Sequence, residues 1–160
     1  MKFSIQVSIA DQQLDLTEDG RVLKRYLVST ALKGPGNLKN SGQTPIGKHY
    51  IRAKIGAGQP ENTVFVGRRA TGEIYSQYLA EAYPERDWIL TRILWLCGTQ
   101  PGINRLGNVD SMQRYIYIHG TPDSEPMGVP LSHGCIRMRN ADIVELFDQV
   151  GYGTEVEIVL

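Results

Sequence analysis

Alternation of apolar and polar residues runs through most of the chain and predicts a protein built mainly from strands. The first ten residues place an apolar side chain at every second position from Phe3 to Ile9, which is the pattern of a strand with one buried face. Residues 3–9 and 12–16 are predicted to form a hairpin, which a Thr-Glu-Asp-Gly turn connects to the next strand. The remaining strand predictions, in chain order, are residues 21–29, 47–55, 63–66, 88–96, 114–118 and 155–160.

Helical periodicity appears in two segments. Residues 141–150 carry apolar side chains at helical spacing, with Asn140 as the expected N-cap and Gly151 as the expected stop. The expected apolar face of this helix is formed by Ile143, Val144, Phe147 and Val150. Residues 74–86 carry a weaker helical pattern, and residues 31–42 contain four glycines and prolines that predict a loop. The fold class predicted from these elements is mainly β, with one or two short helices.

Length and composition restrict the range of possible functions. A chain of 160 residues that is 41% hydrophobic suits one domain over residues 1–160. The 17 basic and 17 acidic residues balance, and no basic tract exceeds a pair, so nucleic-acid binding is not expected. No apolar run approaches the length that a membrane-spanning helix needs, so no membrane insertion is expected. The N-terminus lacks the apolar core of a secretion signal, so the expected location is the cytoplasm if Met1 is the native start.

A cysteine flanked by histidines and glycines is the strongest chemical signal in the sequence. Cys135 lies in the run Ser-His-Gly-Cys, just ahead of an expected helix start, and follows a separate His119-Gly120 pair. A thiol acts as a nucleophile only as the thiolate, and a neighbouring imidazole can remove its proton. The pattern therefore predicts an acyl-transfer site. The second cysteine, Cys97, ends a mostly apolar stretch and is expected to be a small core residue.

Residues 118–121 and 132–138 together resemble the signature of the L,D-transpeptidase catalytic domain family (the YkuD-type domain). That signature is a His-Gly pair, a spacer of somewhat over ten residues, and then Ser/Thr-His-Gly-Cys with a hydrophobic residue. Residues 44–47 (Thr-Pro-Ile-Gly) resemble the family's Thr-Pro-x-Gly turn, and residues 153–156 its closing strand. The resemblance implies a β-sandwich of mixed sheets with a packed helix. It also implies acyl transfer through a thioester at the L-centre of meso-diaminopimelate in peptidoglycan stem peptides, without a cofactor.

The same resemblance implies roles for individual residues. Cys135 would attack the carbonyl of the third stem residue and release the fourth, D-alanine. His119, expected at the end of the strand that precedes it, would be the base, with its second ring nitrogen bonded to the carbonyl of Gly120. Gly134 would let the backbone approach closely, and the N–H groups of residues 133–135 could form an oxyanion hole.

Several side chains in the motif have two open interpretations. His133 either contacts the substrate or shapes the turn, and Ser132 either bonds the imidazole or caps the turn. Arg137 either binds a stem-peptide carboxylate or pairs with Asp142 or Glu145. A group of aromatic residues forms either a lid or packed rim, namely Tyr75, Tyr78, Tyr83 and Trp88.

The acceptor of the acyl group decides which reaction follows. An amine acceptor gives 3–3 crosslinks or D-amino-acid exchange, whereas water gives an L,D-carboxypeptidase. Family members that crosslink are exported, so the expected cytoplasmic location favours hydrolysis during the recycling of muropeptides. Carbapenem-type β-lactams are expected to be possible acylating inhibitors.

Two other classes of function remain open. A non-catalytic binder of stem peptides could use the same fold. A zinc site could be built from Cys135, His133, His119 and His49, although the His-x-Cys spacing and the absence of CxxC and HExxH pairs disfavour it.

Overall fold

The computed structural model describes residues 2–160 and confirms the mainly β fold class with two short helices. The strands are β1 (Phe3–Ser8), β2 (Gln13–Glu18), β3 (Arg21–Leu27), β4 (Gly47–Ile55), β5 (Thr63–Val66), β6 (Arg69–Ile74), β7 (Ile89–Gly98), β8 (Tyr117–Thr121), β9 (Ile136–Arg139) and β10 (Glu155–Val159). The α-helices are α1 (Gln77–Ala82) and α2 (Asn140–Gln149), and Gly107–Val109 forms a single 3₁₀ turn. No helix within residues 2–160 combines the length and the apolar character that crossing a membrane requires.

The strands join in one curled, mixed sheet. Its main path runs in the order β3-β2-β1-β10-β4-β7-β5-β6, and β8 and β9 branch from β7. The pairs β1–β10 and β8–β9 are parallel, while the other pairs are antiparallel. Helix α2 packs on β7, β8 and β9, which confirms the expected helix on a mixed sheet.

One large apolar core joins both halves of the sheet to the second helix. It packs Leu14 of β2, Leu94 of β7, Ile118 of β8 and Ile143 of α2, each of which is 0% exposed. Burying a side chain of this size stabilises the fold by about 1.5–3 kcal/mol. The branch β8–β9 is therefore fixed to the body of the protein through its apolar face. The buried face of α2 and its C-cap is formed by Ile143, Leu146, Phe147 and Val150. Leu146 therefore belongs to this face, whereas Val144, which was predicted to belong to it, is only half-buried.

The predicted strands 47–55 and 63–66 are confirmed at their bounds, but the predictions for residues 114–118 and 74–86 are corrected. The strand predicted at 114–118 runs instead from Tyr117 to Thr121, because Asp110 accepts bonds from the backbone of Leu106 and Gln113 and holds the preceding residues in turns. The helical pattern at 74–86 yields only the short α1. Strand β6 was not predicted, since most of its residues are exposed and lack an apolar face.

The start of α2 also differs from the prediction. Strand β9 separates Cys135 from the helix, and the N-cap is Arg139 without a side-chain bond rather than Asn140. The Asn140 side chain is buried, where it accepts a bond from the Thr91 hydroxyl and donates to Asn62 at 2.9 Å and to Asp123 at 3.2 Å. It thereby joins three chain segments instead of capping its own helix.

Candidate active site

The parallel pair β8–β9 brings the two halves of the predicted motif together. Its register places His119 opposite Arg137. Because side chains alternate along a strand, His119 lies on the same face of β8 as Tyr117. The backbone N–H of Tyr117 donates to the sulfur of Cys135 at 3.3 Å. His119 lies in the middle of β8 (Tyr117–Thr121), whereas the sequence analysis expected it at the end of a strand over residues 114–118.

The Cys135 thiol is held by two backbone groups. Its sulfur accepts from the Tyr117 N–H and donates to the Tyr115 carbonyl, each at 3.3 Å. Tyr115 has a φ of 57°, a left-handed conformation that is unusual for a bulky side chain. Burial raises the pKa of Cys135 to about 12, an effect that the Tyr117 N–H and the charge of Arg137 oppose. The Cys135 thiol is consequently neutral at pH 7.

The His119 imidazole is fixed in one tautomer. Its ring is 1% exposed, and Nδ1 donates to the Gly120 carbonyl at 2.6 Å, which leaves the lone pair on Nε2. Burial lowers the pKa of His119, so the ring is neutral at pH 7. A Cβ at Gly120 would lie 2.5 Å from Asn140 Oδ1 and 2.6 Å from the Leu90 carbonyl, so only glycine fits there.

Hydrogen bonds of the Ser132 side chain stabilise the turn that carries the thiol. Its hydroxyl donates to the Cys135 carbonyl at 2.6 Å and accepts from the Gly134 N–H at 3.2 Å. The side chain is buried, so the structure shows the turn-capping interpretation of Ser132. Thr44, from the Thr-Pro-x-Gly segment, donates to the Gly134 carbonyl at 2.9 Å. Gly134 itself has a φ of +133°, and a Cβ there would lie 3.4 Å from the Gln43 carbonyl.

Two backbone donors remain available near the sulfur. Of the three N–H groups predicted for an oxyanion hole, that of Gly134 is used by Ser132. The N–H groups of His133 and Cys135 have no acceptor within residues 2–160. A single oxyanion donor typically contributes about 3–4 kcal/mol to transition-state stabilisation.

Asp87 is a site residue that the sequence analysis missed. Its carboxylate lies 3.3 Å from the Arg137 guanidinium and 3.5 Å from Nδ1 of His133. The alternative pairing of Arg137 with Asp142 or Glu145 is wrong, and Arg137 is only 9% exposed. Asp87 precedes β7 and lies 50 residues away from Arg137 in the chain, so no local pattern could connect them.

Two cavities meet at the thiol. The hairpin cavity, of about 490 Å³, is lined by Phe65, Arg68, Asp87 and Tyr117 among others, and the loop cavity, of about 440 Å³, by Lys39, Asn40, Gln113 and Arg114 among others. Cys135 and His133 line both of them. A third cavity, of about 750 Å³, lies against β1, β4 and β10; it is lined by His49 but by no residue of the His-Gly and Ser-His-Gly-Cys motifs. The chemistry therefore belongs to the two smaller cavities.

The aromatic residues considered for a lid line neither of these two cavities. Tyr75 packs edge-on against Trp88, with ring centroids 5.1 Å apart. Tyr78 and Tyr83 are 78% and 50% exposed. Tyr75 and Trp88 therefore show the packed-rim interpretation.

His49 and Cys97 do not join the thiol. His49 is buried, with Nδ1 at 3.0 Å from the Gly47 carbonyl and Nε2 at 2.8 Å from the Ser111 hydroxyl, and burial lowers its pKa to about 4. Cys97 is 6% exposed, which confirms the prediction of a buried residue. In the described part of the chain, no three His, Cys, Asp or Glu side chains are grouped to hold a metal ion, so the zinc alternative gains no support.

Comparison with known proteins finds one family model and one relative that match nearly the whole chain. The family model described as "YkuD: L,D-transpeptidase catalytic domain" matches residues 2–158. The "Putative L,D-transpeptidase YkuD" of Bacillus subtilis is 28% identical over 157 residues, which cover 98% of this chain and 65% of that protein. The "Probable L,D-transpeptidase YbiS" of Escherichia coli K12 is 46% identical over 46 residues, which cover 29% of this chain and 15% of that protein. The chain thus spans less than two thirds of the length of these relatives.

Solved structures share the fold at low sequence identity. An L,D-transpeptidase from Mycobacterium smegmatis is 16% identical, with a TM-score of 0.58 over 99% of this chain and 59% of that one. L,D-transpeptidase 3 from Mycobacterium tuberculosis, in complex with a faropenem-derived adduct, is 16% identical, with a TM-score of 0.60 over 99% of this chain and 60% of that one. Both similarities show the fold alone.

Proposed function

Because the chain belongs to the L,D-transpeptidase (YkuD-type) catalytic domain family, we propose that it is a cysteine acyltransferase acting on peptidoglycan stem peptides. The observation that carries the proposal is the position of Cys135: its sulfur lies at the junction of two cavities, and its side chain packs with that of Tyr117, which shares a face of β8 with His119. The proposed donor is a stem tetrapeptide, and the acyl group is transferred from the L-centre of its meso-diaminopimelate.

The proposed first half-reaction forms a thioester. Nε2 of His119 takes the thiol proton as the sulfur of Cys135 attacks the carbonyl of the third residue. The N–H groups of His133 and Cys135 are the donors available to the oxygen as it gains charge. The intermediate then collapses, the bond to D-alanine breaks, and the protonated imidazole returns its proton to the departing amine. The neutral tautomer of His119 supports its assignment as the base.

The second half-reaction depends on which acceptor reaches the thioester. With the donor in one cavity, the other cavity still opens onto Cys135. Its volume of more than 400 Å³ can admit an amine-bearing peptide, and this observation supports transpeptidation. The same opening admits water, so the L,D-carboxypeptidase activity expected from the sequence remains the second candidate. In either case His119 would take the proton of the acceptor.

Product analysis tests the proposal and separates the two acceptors. The protein is incubated with a tetrapeptide ending in meso-diaminopimelyl-D-alanine, with and without added D-amino acid, and the products are followed by mass spectrometry. We expect loss of D-alanine together with D-amino-acid exchange or crosslinked dimer, and Cys135→Ala abolishes each product. Tripeptide alone would identify the carboxypeptidase, and absence of any covalent product would contradict the catalytic proposal.

Acylation by a β-lactam distinguishes an enzyme from a non-catalytic binder of stem peptides. A carbapenem is expected to add its mass to the wild-type protein and to leave Cys135→Ala unmodified. The Cys97→Ala variant is the matched control, because it removes the other cysteine and should still be acylated. Binding of stem peptide without any acylation of Cys135 would favour the binder.

A further inference from the structure

The hairpin cavity contains a cation without an acidic partner. The two charged groups there besides His133 are Arg68 and Asp87. Asp87 is already paired with Arg137, which is almost fully buried behind it. In the described part of the chain, no carboxylate lies within salt-bridge distance of Arg68. The wall of this cavity therefore offers an unpaired positive charge.

Arg68 combines an unfavourable backbone conformation with several contacts of its side chain. Gly67 and Arg68 form the two-residue turn between β5 and β6, with φ values of 56° and 65°. Turns of this type favour glycine or asparagine at both positions, so arginine is unfavourable for the backbone. Contacts of the guanidinium offset this cost, because it lies 4.5 Å from the ring centroid of Trp95 and 5.0 Å from that of Tyr115.

Most donors of this guanidinium remain free. One nitrogen donates to the Tyr117 hydroxyl at 3.0 Å, and Tyr117 is the residue whose N–H contacts the Cys135 sulfur. The other Arg68 N–H groups have no acceptor within residues 2–160. A guanidinium presents five N–H donors in a planar fork that matches a carboxylate.

We propose that Arg68 binds a carboxylate of the substrate in the hairpin cavity and thereby contributes to substrate selection. The inference rests on the proposed function, since the two residues that flank the scissile bond of a stem tetrapeptide each carry a free carboxylate. One is on the D-centre of meso-diaminopimelate, and the other is the C-terminal carboxylate of D-alanine. In this proposal Arg68 has the role that the sequence analysis considered for Arg137, because the buried Arg137 side chain is already paired with Asp87.

Peptide binding in the Cys135→Ala background tests this without requiring turnover. Titration calorimetry compares Cys135→Ala alone with the same variant carrying Arg68→Gln, Arg68→Lys or Arg69→Gln. Arg68→Gln is expected to weaken binding of the tetrapeptide about 10- to 100-fold, the range of a hydrogen bond between charged groups. Arg68→Lys should give an intermediate loss, because the charge stays and the fork is lost. Arg69→Gln, at the adjacent exposed position, is the matched control and should bind as its parent does.

Two amidated peptides identify which carboxylate is bound. One carries an amide at the D-centre of diaminopimelate and the other at the C-terminal D-alanine. The amide that removes the Arg68 partner should weaken binding to the parent but not to Arg68→Gln, because paired changes at one contact are not additive. Equal penalties in both proteins for both amides, or equal affinity of Arg68→Gln and Arg69→Gln, would overturn the inference.

The failure of this inference is distinguishable from failure of the proposed function. Peptide binding that depends on Arg68, without turnover by the wild-type protein, would sink the catalytic proposal and leave the carboxylate contact standing. If the wild-type protein turns over the peptide and Arg68→Gln changes neither KM nor kcat, the catalytic proposal stands and the inference about Arg68 fails. If the Cys135→Ala protein binds no tetrapeptide, the inference about Arg68 is overturned. In the active protein, loss of the contact should raise KM with little change in kcat, because a ground-state contact is removed.

Discussion

The protonation state of the Cys135 thiol leads to the sharpest prediction. Burial raises its pKa from an ordinary 9.0 to about 12, and burial also lowers the pKa of His119. Both groups are therefore neutral at pH 7, unlike the thiolate–imidazolium pair of many cysteine enzymes. The perturbation is pH, and the response is the rate at which a small neutral alkylating reagent, iodoacetamide, modifies Cys135.

The magnitude follows from two opposing effects of the raised pKa. The thiolate fraction at neutral pH falls about 1000-fold relative to a free thiol of the ordinary pKa. A more basic thiolate is also more nucleophilic, and a Brønsted coefficient of about 0.4–0.5 recovers part of that factor. We therefore expect alkylation of Cys135 to be about 30- to 60-fold slower than that of a free thiol at the same pH. The rate should rise about tenfold per pH unit, with no plateau below pH 10.

Intact-protein mass spectrometry measures this rate between pH 5 and pH 10. The Cys135→Ala variant reports any background from the buried Cys97. A rate that levels off with an apparent pKa between 5 and 8 would refute the reasoning, because it would show a preformed ion pair. The acid limb of kcat/KM provides a second check. Since His119 has a lowered pKa, that limb should lie below pH 6.5, and His119→Gln should cost about 100- to 10,000-fold in acylation.

Two further predictions concern the packing and charge around the thiol. Gly120→Ala places a Cβ 2.6 Å from the Leu90 carbonyl and should lower the free energy of unfolding, measured by urea titration, by about 1–3 kcal/mol. The control is Gly151→Ala, which should cost far less because no atom lies within 4 Å of its added Cβ. Equal costs of the two substitutions would contradict the packing argument. Asp87→Asn removes the carboxylate that pairs with Arg137 and that raises the pKa of the Cys135 thiol. The pH dependence of Cys135 alkylation should therefore shift toward lower pH. No shift, or a shift toward higher pH, would contradict this electrostatic assignment.

The parts of the fold that follow local rules could be predicted from the sequence. Strands 47–55 and 63–66 are rich in strand-forming residues and are bounded by glycine or proline turns, so their bounds match the structure. The strand at 114–118 was misplaced because a run of branched apolar residues does not define where a strand begins and ends. Its start is fixed by the side chain of Asp110, whose bonds to neighbouring backbone N–H groups hold a turn.

The part of the site that could be predicted from the sequence is the part that lies in the His-Gly and Ser-His-Gly-Cys motif. Cys135, His119 and Gly134 come from two short segments whose spacing is typical of the family. Asp87 and Arg68 belong to other segments, and their place at the cavity is set by how the sheet curls. Asp87 reaches Arg137 across 50 residues, and pairings at such distances depend on the tertiary fold alone.

The position of the thiol on a branch of the sheet explains how burial and access coexist. Strands β8 and β9 leave the main sheet at β7, so their apolar face is covered by the core while the turn before β9 stays at the edge of two cavities. The core-facing side is fixed by packing, and the turn is fixed separately by Ser132 and Thr44. Because those polar side chains bond backbone rather than the sulfur, they hold the geometry without altering the charge near it. In the proposed reaction, Cys135 therefore gives its proton to the buried neutral imidazole of His119 after a substrate has displaced water from the cavities and aligned its carbonyl with the sulfur.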